Sequence, residues 1–351
     1  MKYWLIPIIC SYLFVSYFMI EVYLYFFTNL SYFDMVNPAL FNRTIVDKDF
    51  VNKYIKIPNT QKYNESIKVG YENAKQKKIV LASLARDVEL RTPDSIVKME
   101  KIGECFQDYR IVMFENDSED NSRELLTNWS KRNDKVVLMD CCDEGSCDCK
   151  LKTQNSYSLG WAGKKRIQKM RFYREKLLRY TTKNFSDFDY YISYDFDLQG
   201  GLYLDGLITS FEKDNWDMIF ARGLQSMPSI TRKRLILYDS LPYISGSMDF
   251  HHKHSLKHMF DKFDKDLGKN KVGSKFVLCK SGFNGLAIYN MKSILDKSYM
   301  KSDFYCEHID LHYDMYTKGN NKIYYNPNMI MFAGQPGPDR IELLKNPLVV
   351  T

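Results

Sequence analysis

The sequence predicts an α/β protein: a mostly parallel central sheet flanked by helices, behind an N-terminal transmembrane helix. Three observations predict it. Short apolar runs alternate with stretches of helical spacing from Lys77 onward. An uncharged apolar run opens the chain. Acidic residues fall directly after two of the predicted strands, where open α/β sheets bind their ligands.

The elements follow in order. Tyr3 to Ile20 reads YWLIPIICSYLFVSYFMI and carries no charge. Eighteen helical residues span roughly 27 Å, close to the hydrocarbon thickness of a bilayer, and aromatics crowd both ends as interfacial belts do. No small-x-small cleavage site follows Ile20, which argues against a cleaved signal peptide. Lys2 on the short side and Arg43 far beyond favour a cytoplasmic tip and a lumenal body. Residues 1–27 are therefore expected to be tip and signal-anchor, and the polar, Asn/Lys/Tyr-rich residues 28–76 a stem or peripheral segment.

A catalytic-type domain is expected over residues 77–335, with a tail at 336–351. Ile79 to Leu84 predicts a buried strand, and Pro93 to Phe106 a helix with Ile96, Met99, Ile102 and Phe106 at helical spacing. Ile111 to Phe114 predicts a second strand, Ser122 to Trp129 a helix and Lys135 to Met139 a third strand. That alternation argues for right-handed βαβ units. Lys164 to Tyr180 is a basic helix. Its apolar face is Ile167, Met170, Tyr173, Leu177 and Leu178, and Lys165, Arg166, Lys169, Arg171 and Arg174 cover the rest. Asp189 to Tyr194 is a fourth strand, ending in Asp195-Phe196-Asp197 and followed by Gly200-Gly201. Leu204 to Phe211 is helix-like, Trp216 to Phe220 a strand, and Phe276 to Tyr289 a Gly-bearing loop feeding a strand. Cys306 to Thr317 is helix-like, and Ile323 to Met331 is a closing strand.

Bulk properties restrict the function classes. At 351 residues, the chain has room for one large α/β domain with extras, or for two small ones. Its formal charge of +7 is modest, and its basic residues are spread along the chain apart from the cluster at 164–179. A diphosphate needs only a few such cations, and no nucleic-acid partner is expected. Sequons at Asn29, Asn42, Asn64, Asn116, Asn128 and Asn184 support a secretory route. Of eight cysteines, Cys141, Cys142, Cys147 and Cys149 cluster as CCDEGSCDC, adjacent and one-apart spacings that suit loop disulfides better than a zinc finger. His251, His252, His254 and His258 lack an acid partner at metal-ligand spacing and read as a polar loop.

Two strand ends carry acids: Glu115 with Asp117, and Asp195 with Asp197. The strand period of two sets both carboxylates of Asp-x-Asp on one side. Hard oxygen ligands suit Mg2+ or Mn2+, ions that share ligands with phosphates and meet the charge developing on a leaving diphosphate. Loop-capping aspartates are the bland alternative. Glu307 and Asp310 are three apart, so one helical face presents both, and either could act as general base on a hydroxyl. Helix capping or pairing with lysines is the competing role.

The ordered set LARD, FENDS, a basic helix, YISYDFD, WDMIF, SGFNGLAIY and CEHIDLHYDMYTKG with YYNPN resembles GT-A-fold glycosyltransferases. It looks most like the cryptococcal mannosyltransferase (capsule-associated) family and related eukaryotic and viral transferases, over about residues 78 to 333. The resemblance implies a GT-A (Rossmann-like) fold and a Golgi or ER, or viral, type II membrane enzyme. It implies transfer of a sugar, with GDP-mannose the expected donor, to a glycan or glycoprotein. By the same resemblance Arg86 and Asp87 belong to the first nucleotide loop, and Glu115 and Asp117 lie near base and ribose. Arg166, Lys169 or Arg174 reach phosphate oxygens, and Asp195 and Asp197 hold the metal and diphosphate. Phe283, Asn284 and Gly285 shape the sugar and acceptor pocket. Glu307 or Asp310 is the acceptor-side carboxylate, and His308 or His312 completes the metal shell. Two departures stand out: Tyr194 replaces the acid or Asn often found before the first Asp, and the Asn116 sequon falls in a nucleotide loop, so it is expected to be unused. A lectin-like protein on a degenerate version of this fold is the rival reading. A two-metal nuclease or phosphatase lacks the additional acid cluster it would need.

Overall fold

A computed structural model describes residues 44–140, 164–227, 234–251 and 261–334. The predicted anchor, the Cys-rich loop, His252, His254, His258 and the C-terminal tail lie outside them. Among the described residues no helix is long and apolar enough to cross a membrane.

In chain order the elements are β1 (Ile45–Val46), α1 (Lys48–Asn52), α2 (Gln61–Ala74), β2 (Lys78–Ala85), α3 (Thr92–Gly103), β3 (Asp108–Glu115), α4 (Ser122–Arg132), β4 (Val136–Asp140) and α5 (Lys164–Asn184). Then come β5 (Tyr190–Tyr194), β6 (Leu202–Tyr203), α6 (Leu204–Ile208), β7 (Met218–Met227), β8 (Arg234–Leu237), β9 (Ile244–Ser245), β10 (Val277–Ser281), β11 (Leu286–Asn290), α7 (Glu307–Thr317) and β12 (Ile323–Gly334).

All the strands join one sheet in the order β1-β6-β12-β7-β11-β5-β2-β3-β4, with β8 on β7 and β10 linking β12 to β9. The sheet is mixed rather than mostly parallel. β5, β2, β3 and β4 run parallel, but β11 is antiparallel to both β5 and β7. β10, antiparallel to β12, already runs in that sense, and the Asn284-Gly285 turn, with positive φ at both residues (57° and 84°), leads it into β11.

The period of two along each strand builds two cores. Ile79, Leu81, Ile111 and Met113 face α3 and α4 through Met99, Ile102, Leu126 and Trp129. Val80, Ala82, Val112 and Phe114 face α5 through Tyr173, Leu177 and Leu178. Continuous burial on both faces is why these strands read as apolar runs rather than alternating ones.

Within the segment expected to be a stem or peripheral region, residues 45–76 pack onto this body. β1 pairs with β6, and Phe50, Val51, Ile57, Tyr63 and Ala74 are buried. α2 is capped by Thr60 Oγ1 on the Tyr63 N–H. It lies on α6 and hydrogen-bonds across it: Tyr71 Oη donates to Asp205 at 2.9 Å, and Ser66 Oγ to Glu212 at 2.6 Å.

Candidate active site

The carboxyl ends of β2, β3 and β5, the amino end of β11 and the carboxyl end of β7 share one edge of the sheet. Asp195-Phe196-Asp197 sits there, and its backbone is fixed from several sides. Ser83 Oγ donates to the Tyr194 carbonyl at 2.5 Å, Ser95 Oγ to the Phe196 carbonyl at 2.5 Å, and Lys98 Nζ to the Leu198 carbonyl at 2.8 Å. The Asp195 N–H donates to the Gly285 carbonyl at 2.9 Å. Behind the loop, Gly200 admits β12: a Cβ there would stand 2.4 Å from that of Phe332.

Phe196 and Leu198 point into the core, whereas Asp197 is exposed and Asp195 keeps 20% of its side-chain surface. Arg174 Nη2 donates to Asp195 Oδ1 at 3.0 Å, Nε to Glu307 Oε1 at 3.1 Å and Nη1 to Ser193 Oγ at 3.2 Å, while its guanidinium lies over the Phe283 ring. Burial opposes the Arg174 charge, but Asp195 and Glu307 outweigh it and hold the guanidinium firmly ionised. Burial is also the largest influence on Asp195. Arg174 pulls its carboxyl down, Asp197 and Glu307 push it up, and the result stands at about 7.

Arg171 and Arg174 thus face inward, not into a solvated basic face. Ile167, Arg171, Arg174 and Leu178 are spaced i, i+4, i+7 and i+11, one buried stripe of α5. Arg171 Nε meets Asp310 Oδ2 at 2.8 Å, and its Nη atoms reach Asp303 and the Phe304 carbonyl. The Phe304 N–H takes the other Asp310 oxygen at 3.0 Å. Asp310 is fully enclosed, so it fastens α7 to α5 and presents nothing to an acceptor. Glu307 lies beside Asp195, bridged to it by Arg174, with Cys306 Sγ 3.7 Å from its Oε2.

His312 does not join the carboxylates. Its Nδ1 is 2.7 Å from Ser281 Oγ and its Nε2 2.9 Å from Tyr289 Oη, so both ring nitrogens are engaged. His308 stacks on Phe283 at 3.8 Å between centroids. Burial, Arg174 and His312 hold it well below the ordinary histidine range. Asn284 is likewise internal, its amide donating to the Ala221 carbonyl at 2.8 Å.

The loop after β2 and the loop after β3 are tied together. Asp87, at φ 51°, accepts the Glu119 N–H at 2.7 Å, and its own N–H donates to Ser118 Oγ at 3.1 Å. Val88 N–H donates to Ser122 Oγ at 2.7 Å. Glu115 is buried against Arg123 and accepts the Ser118 N–H at 2.8 Å. It shapes this loop rather than facing the crevice, and it leaves Asp117, at φ 48°, at the tip. Lys169 lies over the Tyr173 ring, and burial first and then Arg86 lower its ammonium, with Asp117 opposing. Tyr173, with Asn116 and Asp117 as neighbours, is pushed up to about 12, chiefly by burial. Asn116 is 5% exposed, which closes its sequon to a glycan, whereas Asn64, Asn128 and Asn184 are exposed.

Sequence reasoning missed Ser83, Ser95, Lys98, Tyr238 and Asp239. Burial raises the Tyr238 hydroxyl, and the charges of Asp195, Asp239 and Asp197 add to that while Arg166 opposes. Asp239 has φ 57°. The signal for Lys98 was in its spacing: it falls three after Ser95 and four before Ile102, on the inward stripe of α3.

The donor set decides whether these residues suit a cation. Asp195 and Asp197 offer hard oxygens whose mutual repulsion a divalent ion relieves. Among the described residues no group of three or more His, Cys, Asp or Glu could hold an ion by itself. The fit is therefore to an ion completed by phosphate and water, as is habitual for Mg2+.

No protein-family model matches the chain, and no curated protein matches it. Solved structures similar to it include the mannosyltransferase PcManGT from Pyrobaculum calidifontis in complex with GDP-Man and Mn2+, at 8% identity and TM-score 0.41, covering 79% of this chain and 67% of that one. GalNAc-T7 with UDP, GalNAc and Mn2+ is similar at 9% identity and TM-score 0.41, covering 75% and 44%. S. aureus TarS 1-349 is similar at 10% identity and TM-score 0.40, covering 73% and 60%.

Proposed function

We propose that the chain is a metal-dependent glycosyltransferase that moves a sugar from a nucleotide-sugar donor to a glycan or glycoprotein acceptor. One observation supports this reading: a strand end pinned from the core that leaves Asp197 exposed and Asp195 partly exposed at the carboxyl edge of the sheet, where open α/β sheets bind ligands. GDP-mannose as donor, and a type II anchor with the body in the lumen, rest on the sequence motifs and the apolar N-terminus.

In this reaction the bond from the anomeric carbon to the diphosphate oxygen breaks and a bond to the acceptor oxygen forms. Asp195 and Asp197 would hold a Mn2+ or Mg2+ ion, which when bound neutralises charge on the departing diphosphate. Lys169 and Arg86 would add hydrogen bonds to phosphate oxygens. Glu307 takes the acceptor proton, and Arg174 fixes its position relative to Asp195. Glu307 held by an arginine is also the observation that favours the rival reading, a glycan-binding protein without turnover.

The test is hydrolysis of sugar nucleotides by the purified chain with Mn2+ or Mg2+. Metal-dependent hydrolysis is expected, and Asp195→Ala or Asp197→Ala should abolish it. A wild-type chain that neither binds nor hydrolyses any donor with either ion, yet binds glycans, would establish the rival reading.

A further inference from the structure

We infer that Lys98 is a positioning residue for the metal and diphosphate site, acting from behind through the backbone of the Asp195–Asp197 loop. The inference rests on the metal-dependent reading above.

Lys98 is completely buried, yet it is a lysine. Enclosing an ammonium costs several kcal/mol unless it is well paired, and a methionine of similar length would fill the same space without that cost. Burial lowers its ammonium to about 8, with Asp94 opposing. What the ammonium does is donate to the Leu198 carbonyl at 2.8 Å. Ser95, one turn earlier on the same stripe of α3, donates to the Phe196 carbonyl, and Ser83 on β2 donates to the Tyr194 carbonyl. Alternate carbonyls at 194, 196 and 198 are thereby tied to the core on one side. Between the last two stands Asp197, the one exposed side chain from Tyr194 to Leu198.

A carboxylate on an otherwise free loop would lose orientation entropy each time it closed on an ion. Here that loss is made at folding, because Ser95 and Lys98 bracket the residue. Lys98 touches neither ion nor substrate, so its effect passes entirely through the Leu198 carbonyl.

The experiment is a titration of Mn2+ into the full chain with GDP present, following free Mn2+ by electron paramagnetic resonance. The chains compared are wild type, Lys98→Met, Lys98→Arg and Ser95→Ala, each checked for near-UV circular dichroism. Lys98→Met should weaken Mn2+ binding by about 10- to 100-fold, the loss usual for groups that orient ligands from behind. Lys98→Arg should recover part of it, and Ser95→Ala should weaken binding in the same direction. A folded Lys98→Met chain with wild-type Mn2+ affinity overturns the inference. If Lys98→Met does not fold, a Ser95→Ala chain that melts lower but binds Mn2+ as wild type overturns it. Wild-type protein that takes up no Mn2+ removes the metal-dependent reading, and the role of Lys98 with it.

Discussion

Ser281 and Tyr289 decide the protonation of His312. The single proton of Ser281 Oγ goes to the Pro242 carbonyl at 2.5 Å. His312 Nδ1 must then donate to Ser281, and Nε2 accepts from Tyr289. The ring is neutral, and burial holds it at about 3. Its folded pKa is depressed below the unfolded value of about 6.5, so its contribution to stability is present above that value and is lost as pH falls toward 3. The enclosed Asp310, raised to about 6 by burial, works the other way, because the folded state holds its proton where the unfolded chain does not. Bulk acid sensitivity therefore mixes opposing signs, and a variant separates them. The destabilisation caused by His312→Gln should shrink by about 1.4 kcal/mol per pH unit between pH 6.5 and 3. Urea midpoints of the two chains across that range measure it. A pH-independent difference would mean that His312 carries a proton in the folded chain.

At the scale of elements, α5 and α7 are joined by charge in an apolar setting. Arg171 spans to Asp310, and Arg174 to Glu307. Breaking a buried pair leaves the other charge without compensation, so Arg171→Met should cost about 3 to 5 kcal/mol in urea unfolding. Adding Asp310→Asn should return part of that loss, since the pair acts as a unit. Equal costs for the single and double variants would show that the arginine stem, not the charge pair, joins the helices. These same helices show what could be read in advance. The strand from Ile79 to Leu84 and the helices around Met99 and Leu126 were legible because apolar spacing reports burial directly. The acidic strand ends were legible because a turn after an apolar strand marks the ligand edge. The inward course of Arg171 and Arg174 was not, since a basic side chain counts as surface until its carboxylate partners, distant in sequence, are known. The buried settings of Asp310 and His312 were not legible for the same reason: the groups that occupy their polar atoms lie on other elements. α2 escaped notice because its buried face is small and interrupted, with Tyr63, Gly70 and Ala74 as its enclosed residues.

Across the whole molecule, one sheet brings together residues from 86 to 307 at a single edge. Anything that bridges Asp195, Asp197, Lys169 and Arg86 must bind the folded chain far better than the unfolded one. Mn2+ with GDP should therefore raise the melting temperature, with a stabilisation of about 2.7 kcal/mol at a ligand concentration 100 times its dissociation constant. Chelation of the ion should reverse the gain, and Asp197→Ala should abolish it. Thermal melts with ion alone, nucleotide alone and both would measure the coupling, and equal shifts with and without the ion would count against a shared site. The N–H of Asp195 finds its acceptor on Gly285, and Glu307 comes later still. During synthesis the parallel strands β2 to β5 leave the ribosome as a unit able to pair locally, while the return strand β11 is still unmade. Until it arrives, the Asp195 N–H lacks its Gly285 acceptor and Arg174 lacks Glu307. The growing polypeptide thus carries an incomplete aspartate loop through most of its production, and the Asp195–Arg174–Glu307 cluster closes only with the last third of the chain.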